Sequence, residues 1–145
     1  MKFASLLLSV CLALLIWPQP ATTQSQEKPV DLAQKSAETW LALADAGKYP
    51  ETWDEGSALM KSAITKDRWT VLLKSARDPL GALKSRKLKS ATYTKSLPGA
   101  PEGEYVVIQY EASFANMPSA IETITPMLDK DGKWRVSGYY IKPAS

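Results

Sequence analysis

The stretch Tyr105–Phe114, YVVIQYEASF, decides how this chain is read. Val106, Ile108, Tyr110, Ala112 and Phe114 alternate with Tyr105, Val107, Gln109, Glu111 and Ser113. A period of two with one plainly apolar side predicts a long strand that buries one face. Working toward the C-terminus, Ile121–Leu128 predicts a further strand. Pro126 gives that strand no amide to donate, so it belongs at an edge or a bulge. Asp129-Lys130-Asp131-Gly132 reads as a hairpin turn. Trp134–Ile141 (WRVSGYYI) follows as the last strand, with Gly138 permitting a bend. Toward the N-terminus, Arg86–Leu97 is β-prone through Thr92, Tyr93 and Thr94. Its lysines Lys87, Lys89 and Lys95 are expected on one side, as on a guarded edge strand. The run Pro98-Gly99-Ala100-Pro101-Glu102-Gly103 supplies the turn between the first two strands.

Before residue 80 the period changes. Ala33, Ala37, Trp40, Leu41 and Ala44 form one apolar stripe of a helix that opens near Pro29 and stops at Gly47. Pro50 opens a second helical stretch, in which Trp53, Ser57, Met60 and Ile64 share a face and Gly56 weakens the middle. Thr65 can cap a third, with Trp69, Leu72, Leu73 and Ala76 on its stripe, and Asp78-Pro79 ends it. Helices followed by strands predict an α+β fold. Three N-terminal helices should pack on one face of a bent four-stranded antiparallel meander.

The N-terminus carries an address. Met1-Lys2 is a positive start, Phe3–Ile16 is 14 residues without a charge, and Trp17-Pro18-Gln19-Pro20 breaks any helix before the small residues Ala21-Thr22-Thr23. That is the layout of a secretory signal peptide, and the apolar run is short for a membrane span. The expected organisation is a signal peptide over 1–23, a flexible leader over 24–29 and a single α+β domain over 30–143. The expected location is the periplasm or the exterior, with no membrane attachment after cleavage.

The 145 residues include one cysteine, Cys11 in the signal, and no histidine. The mature chain would therefore lack imidazole and thiol chemistry, disulfides and the usual zinc, haem and iron–sulfur ligand sets. No cofactor and no metal site is expected. Asp129–Gly132 resembles the start of a calcium loop, but the twelfth position is Tyr140 rather than glutamate. Loss of Lys2 with the signal takes the formal net charge from +3 to +2, which gives no footprint for nucleic acid.

Candidate site residues are few. Arg77 and Arg86 flank the Asp78-Pro79-Leu80-Gly81 turn and could form a two-pronged clamp for a carboxylate or phosphate. The plainer alternative has Arg77 at its helix C-terminus and Arg86 beside a nearby acid. Trp40, Trp53, Trp69 and Trp134 are expected mainly in the core, with Trp53 and Trp69 also candidates to line a ligand pocket. Asp45, Asp54 and Glu122 are carboxylates for which solvated or capping roles suffice.

One resemblance spans nearly all of Ala33–Ile141. Its residues are Trp40-Leu41 with Asp45-Ala46-Gly47 and Tyr49, Thr52-Trp53-Asp54, Trp69, Arg77-Asp78-Pro79-Leu80-Gly81 and Arg86. They continue through Leu97-Pro98-Gly99-Ala100-Pro101 with Gly103-Glu104-Tyr105, Phe114, Glu122-Thr123, and Trp134-Arg135-Val136 with Gly138-Tyr139. In these the chain resembles a bacterial family of exported domains, domain of unknown function 4019. The resemblance implies a bent sheet cupped around helices, similar to cystatin-like or NTF2-like cones, and it implies no reaction. A non-enzymatic binding or interaction domain is the expected function. Its partner would be a small ligand, an envelope protein, or a second copy packed through the sheet. The alternative is a cone-type isomerase or dehydratase, in which a buried carboxylate acts beside Tyr105 or Tyr139.

Overall fold

The four expected strands form one antiparallel sheet in chain order: β1 (Leu83–Thr94), β2 (Tyr105–Phe114), β3 (Met117–Leu128) and β4 (Trp134–Pro143). The computed structural model describes residues 28–145; the expected signal peptide and nearly all of the leader lie outside the described residues. Consecutive antiparallel strands need only short turns, so a meander follows from the turn signals at Pro98–Gly103 and Asp129–Gly132. Four register shifts depart from ideal alternation along it. On β1, the shift between Leu88 and Ser90 breaks the alternation, and the strand starts and stops three residues earlier than the β-prone stretch suggests. The lysines of β1 therefore do not form one row, and Lys95 lies past the strand end. On β3, Pro126 sits at the shift from Thr125. The proline thus lies in an inner strand opposite a bulge, whose extra residue is Ser137 on β4.

Among the described residues the helical half comprises four short α-helices rather than three: α1 (Pro29–Asp45), α2 (Tyr49–Asp54), α3 (Ala58–Ala63) and α4 (Lys66–Arg77), with a 3-10 turn at Asp78–Leu80. The expected second helix is split at Gly56. There the backbone leaves the helix to make an isolated parallel bridge with Val136, and the Ser57 amide donates to the Val136 carbonyl at 2.8 Å. Ser57 then caps α3 by accepting from the Met60 amide. Thr65 caps α4 in the same way, accepting from the Arg68 amide.

The stripe of α1 is buried as its spacing predicts: Ala33, Ala37, Trp40, Leu41 and Ala44. This helix lies against all four strands. Its end is a Schellman motif: Gly47 takes φ 71°, its amide donates to Ala44, and the Lys48 amide donates to Leu43. The α4 stripe differs from expectation. Leu73 and Arg77 are buried, whereas Leu72 is 47% exposed. The inward line runs Trp69, Leu73, Arg77 at four-residue steps, so it ends on a charge instead of on Ala76.

Between the layers, Trp40, Leu41, Met60, Leu73, Val106, Ile108, Tyr110, Ile124 and Val136 form the core, with Trp53, Trp69 and Trp134 packed half-buried around it. The helices cover one face of the sheet only. On the other face, the loop after β1 folds over Tyr105, whose hydroxyl donates to the Pro101 carbonyl at 2.6 Å. The rest of that face is open.

Candidate functional site

Five elements each bring one polar side chain to a single point beneath the helices. Asp45 ends α1, Arg77 ends α4, and Arg86, Glu122 and Tyr139 stand on β1, β3 and β4. Register places the strand members. Arg86 is opposite Ala112, Glu122 opposite Tyr110 and Ile141, and Tyr139 opposite Ile124, all on the helix-covered face. The small Ala112 lets the Arg86 side chain cross β2 to reach β3.

The guanidinium of Arg86 is used on both edges. Its Nε donates to Glu122 Oε2 at 2.6 Å and Nη2 to Oε1 at 3.1 Å. The other edge donates to Asp45, at 2.7 Å from Nη1 and 2.9 Å from Nη2. Arg77 Nη2 donates to Asp45 Oδ1 at 2.6 Å, and its Nη1 lies 3.6 Å from Glu122. The Tyr139 hydroxyl donates to Glu122 Oε1 at 2.6 Å and accepts from Arg77 Nη1 at 3.3 Å. The Arg77 guanidinium also stacks 5.0 Å over the Phe114 ring.

Two positive and two negative groups make the cluster neutral, the condition under which buried charges are tolerated. Glu122 is wholly buried and the Arg77 side chain is 4% exposed. The expectation that Asp45 and Glu122 are solvated or capping is therefore corrected: both neutralise arginines. Burial opposes ionisation of the Asp45 carboxyl, but hydrogen bonds from Arg86 and Arg77 outweigh it and hold its pKa below the ordinary value. Burial, then the Glu122 charge, push the Tyr139 phenol far up.

Arg77 and Arg86 do converge, as a clamp requires, and the carboxylates in the clamp are the chain's own. A shallow cleft of about 550 Å³ reaches the cluster at Asp45 and Arg77 and does not touch Glu122. Among the expected site residues, Tyr139 joins the two arginines; Trp53, Trp69 and Tyr105 do not. Trp53 donates its indole N–H to the Ile64 carbonyl at 2.9 Å. Trp69 donates to Thr52 Oγ1 at 2.9 Å and packs edge-on against Trp40. Tyr105 serves the loop described above. Among the described residues no three His, Cys, Asp or Glu side chains group as a metal site, and no helix is long and apolar enough to cross a membrane.

A second hollow lies on the uncovered sheet face. It has a volume of about 670 Å³ and is lined by Ser85, Lys87, Lys89, Gln109, Glu111 and Lys142, among others. Strand alternation already places Gln109 and Glu111 on the polar side of β2. Lys142 escapes such a reading because β4 extends two residues past Ile141.

An antiparallel meander with helices on one face, a compensated charge cluster inside and a polar hollow outside define this as an α+β domain. The chain belongs to the family described as protein of unknown function (DUF4019), which matches residues 36–139. That span includes all five cluster residues. No curated protein matches the chain.

Proposed function

We propose that this is an exported, non-enzymatic binding domain whose partner contacts the uncovered face of the sheet. The observation that carries the reading is the contrast between the two faces. The covered face is filled by the core and by a neutral cluster whose hydrogen bonds are made within the chain. The open face holds a hollow lined by side chains with hydrogen-bonding capacity to spare. The partner is a small ligand, an envelope protein or a second copy of the chain. Native mass spectrometry of protein isolated from the periplasm reads retained ligand and oligomer together. A retained mass or a dimer, lost in the Lys87→Glu/Lys142→Glu variant at unchanged melting temperature, supports the reading. A mass lost instead in Arg86→Lys would move the site to the Asp45 cleft and contradict it.

Export rests on the charge-free run Phe3–Ile16 and the small residues after Pro20. The mature N-terminus is expected between residues 21 and 25. Intact Met1 in membrane fractions, found by N-terminal sequencing, would overturn export with cleavage.

One observation favours a second reading, a cone-type isomerase or dehydratase: a wholly buried carboxylate, Glu122, lies 2.6 Å from a tyrosine hydroxyl. A general base needs a free lone pair facing substrate. The Glu122 oxygens instead accept from Arg86 and Tyr139, and the cleft stops short of them. If Tyr139→Phe lowers only stability while ligand retention is unchanged, the binding reading stands.

A further inference from the structure

If the open sheet face is the binding surface, as proposed above, its side chains define the chemistry of what it binds. Two rows of side chains cross that face. Cross-strand register aligns Lys87, Glu111, Ile121 and Lys142 in one row, and Gln109, Thr123 and Tyr140 in the next. Among the described residues, Lys87, Lys89 and Lys142 take part in no ion pair. The hollow thus presents three free ammonium groups against one carboxylate side chain, Glu111. Lys87 and Lys142 stand on opposite edge strands, three strand spacings or about 14 Å apart. They fit negative charges spaced along an extended molecule.

The groups between the lysines decide what kind of molecule. Gln109 and Thr123 are linked at 3.4 Å, a long contact that leaves amide and hydroxyl capacity for a ligand. Ser85, Ser113 and Ser119 add hydroxyls along the rim. Tyr140 is 61% exposed beside Thr123, a bare ring on an otherwise polar surface. No apolar socket for a peptide side chain is present in this hollow, where Ile121 is 8% exposed. Hydroxyls, an amide, a stacking ring and separated cations match a sugar chain that carries carboxylates at intervals.

We propose that the open face binds an acidic oligosaccharide of the uronate class. The chain lies across the strands, with its carboxylates on Lys87 and Lys142 and a sugar ring against Tyr140. The test titrates the purified mature protein with tetragalacturonate, and in parallel with a neutral tetrasaccharide, poly-L-glutamate and a short single-stranded DNA. The expected result is binding of tetragalacturonate that weakens with salt and falls about tenfold in each of Lys87→Gln, Lys142→Gln and Tyr140→Ala. These positions are exposed, and an unchanged melting temperature confirms that each variant is folded. Equal binding of the neutral sugar, stronger binding of poly-L-glutamate or DNA, indifference to the three substitutions, or no binding of tetragalacturonate would each overturn the proposal. A photo-reactive side chain at position 109 separates the two levels. Adducts formed there with a non-saccharide partner sink the saccharide class and leave the binding face standing, whereas no adducts from that face sink both.

Discussion

Arg86 and Glu122 are joined by two hydrogen bonds, of 2.6 and 3.1 Å, that pass over β2 to link β1 directly to β3. This fork staples strands that are not neighbours in the sheet, and Asp45 and Arg77 then tie the staple to the ends of α1 and α4. Removing Glu122, which is wholly buried, leaves an excess positive charge on Arg77 and Arg86, which are only 4% and 14% exposed, a loss of about 3–5 kcal/mol. Glu122→Gln keeps the shape and removes the charge, so its unfolding free energy in urea should fall by about that amount. A fall of under about 1 kcal/mol would show that the cluster is hydrated.

Arg86→Lys keeps the charge and loses the planar fork, which serves two carboxylates at once. The expected cost is about 1–3 kcal/mol, read from the urea midpoint. Neutral behaviour would mean that a point charge suffices there.

Tyr110 gives the opposite sign. Its hydroxyl is buried with no hydrogen-bond partner among the described residues, and its ring is 4% exposed. Burial, then the Glu38 charge, push this phenol up to about 12. An unpartnered buried hydroxyl costs free energy, so Tyr110→Phe should be neutral or stabilise by up to about 1 kcal/mol. Destabilisation by more than that in thermal melts would reveal a partner, such as a bound water.

The chain has no histidine, so stability should be nearly flat from about pH 5 to pH 9. Asp45 has a folded pKa below its ordinary value of 3.8, despite the opposing effect of burial. Its contribution is complete above that ordinary value and disappears as pH falls through the folded one, so stability drops on acidification below about pH 4. At the alkaline side Tyr110 is raised to about 12 by burial, and Tyr49 to about 12 by burial and then its bond to Asp78. Both phenols are neutral below pH 10, and the penalty for ionising them inside the fold lowers stability as pH rises from there through the folded values. A transition centred near pH 6 to 7 in urea melts would contradict this account.

The strand half was legible because one rule, the period of two, acts along β2, and turn residues mark the β1–β2 and β3–β4 connections. The helical half was less so. Gly56 reads locally as a weak point in one helix, and only its distant bridge to Val136 makes it a break. Similarly, Arg77 and Arg86 stood out by chemistry, and α4 delivers Arg77 where the stripe predicts an apolar residue. What filled the clamp was hidden: Asp45, Glu122 and Tyr139 come from three other elements, and nothing local in the chain pairs them. Gln109 and Glu111 were visible as polar-face residues, but the row that runs on to Lys142 exists only once the register of three strand pairs is fixed.

The central claim is that the partner meets the open sheet face and not the helices. Photo-cross-linking in the producing cell tests this most directly, with the reactive side chain placed either at Gln109 on that face or at Val71, which is 61% exposed on α4. The account predicts adducts from position 109 and none from position 71. Adducts from position 71 alone, or equally from both, would contradict it.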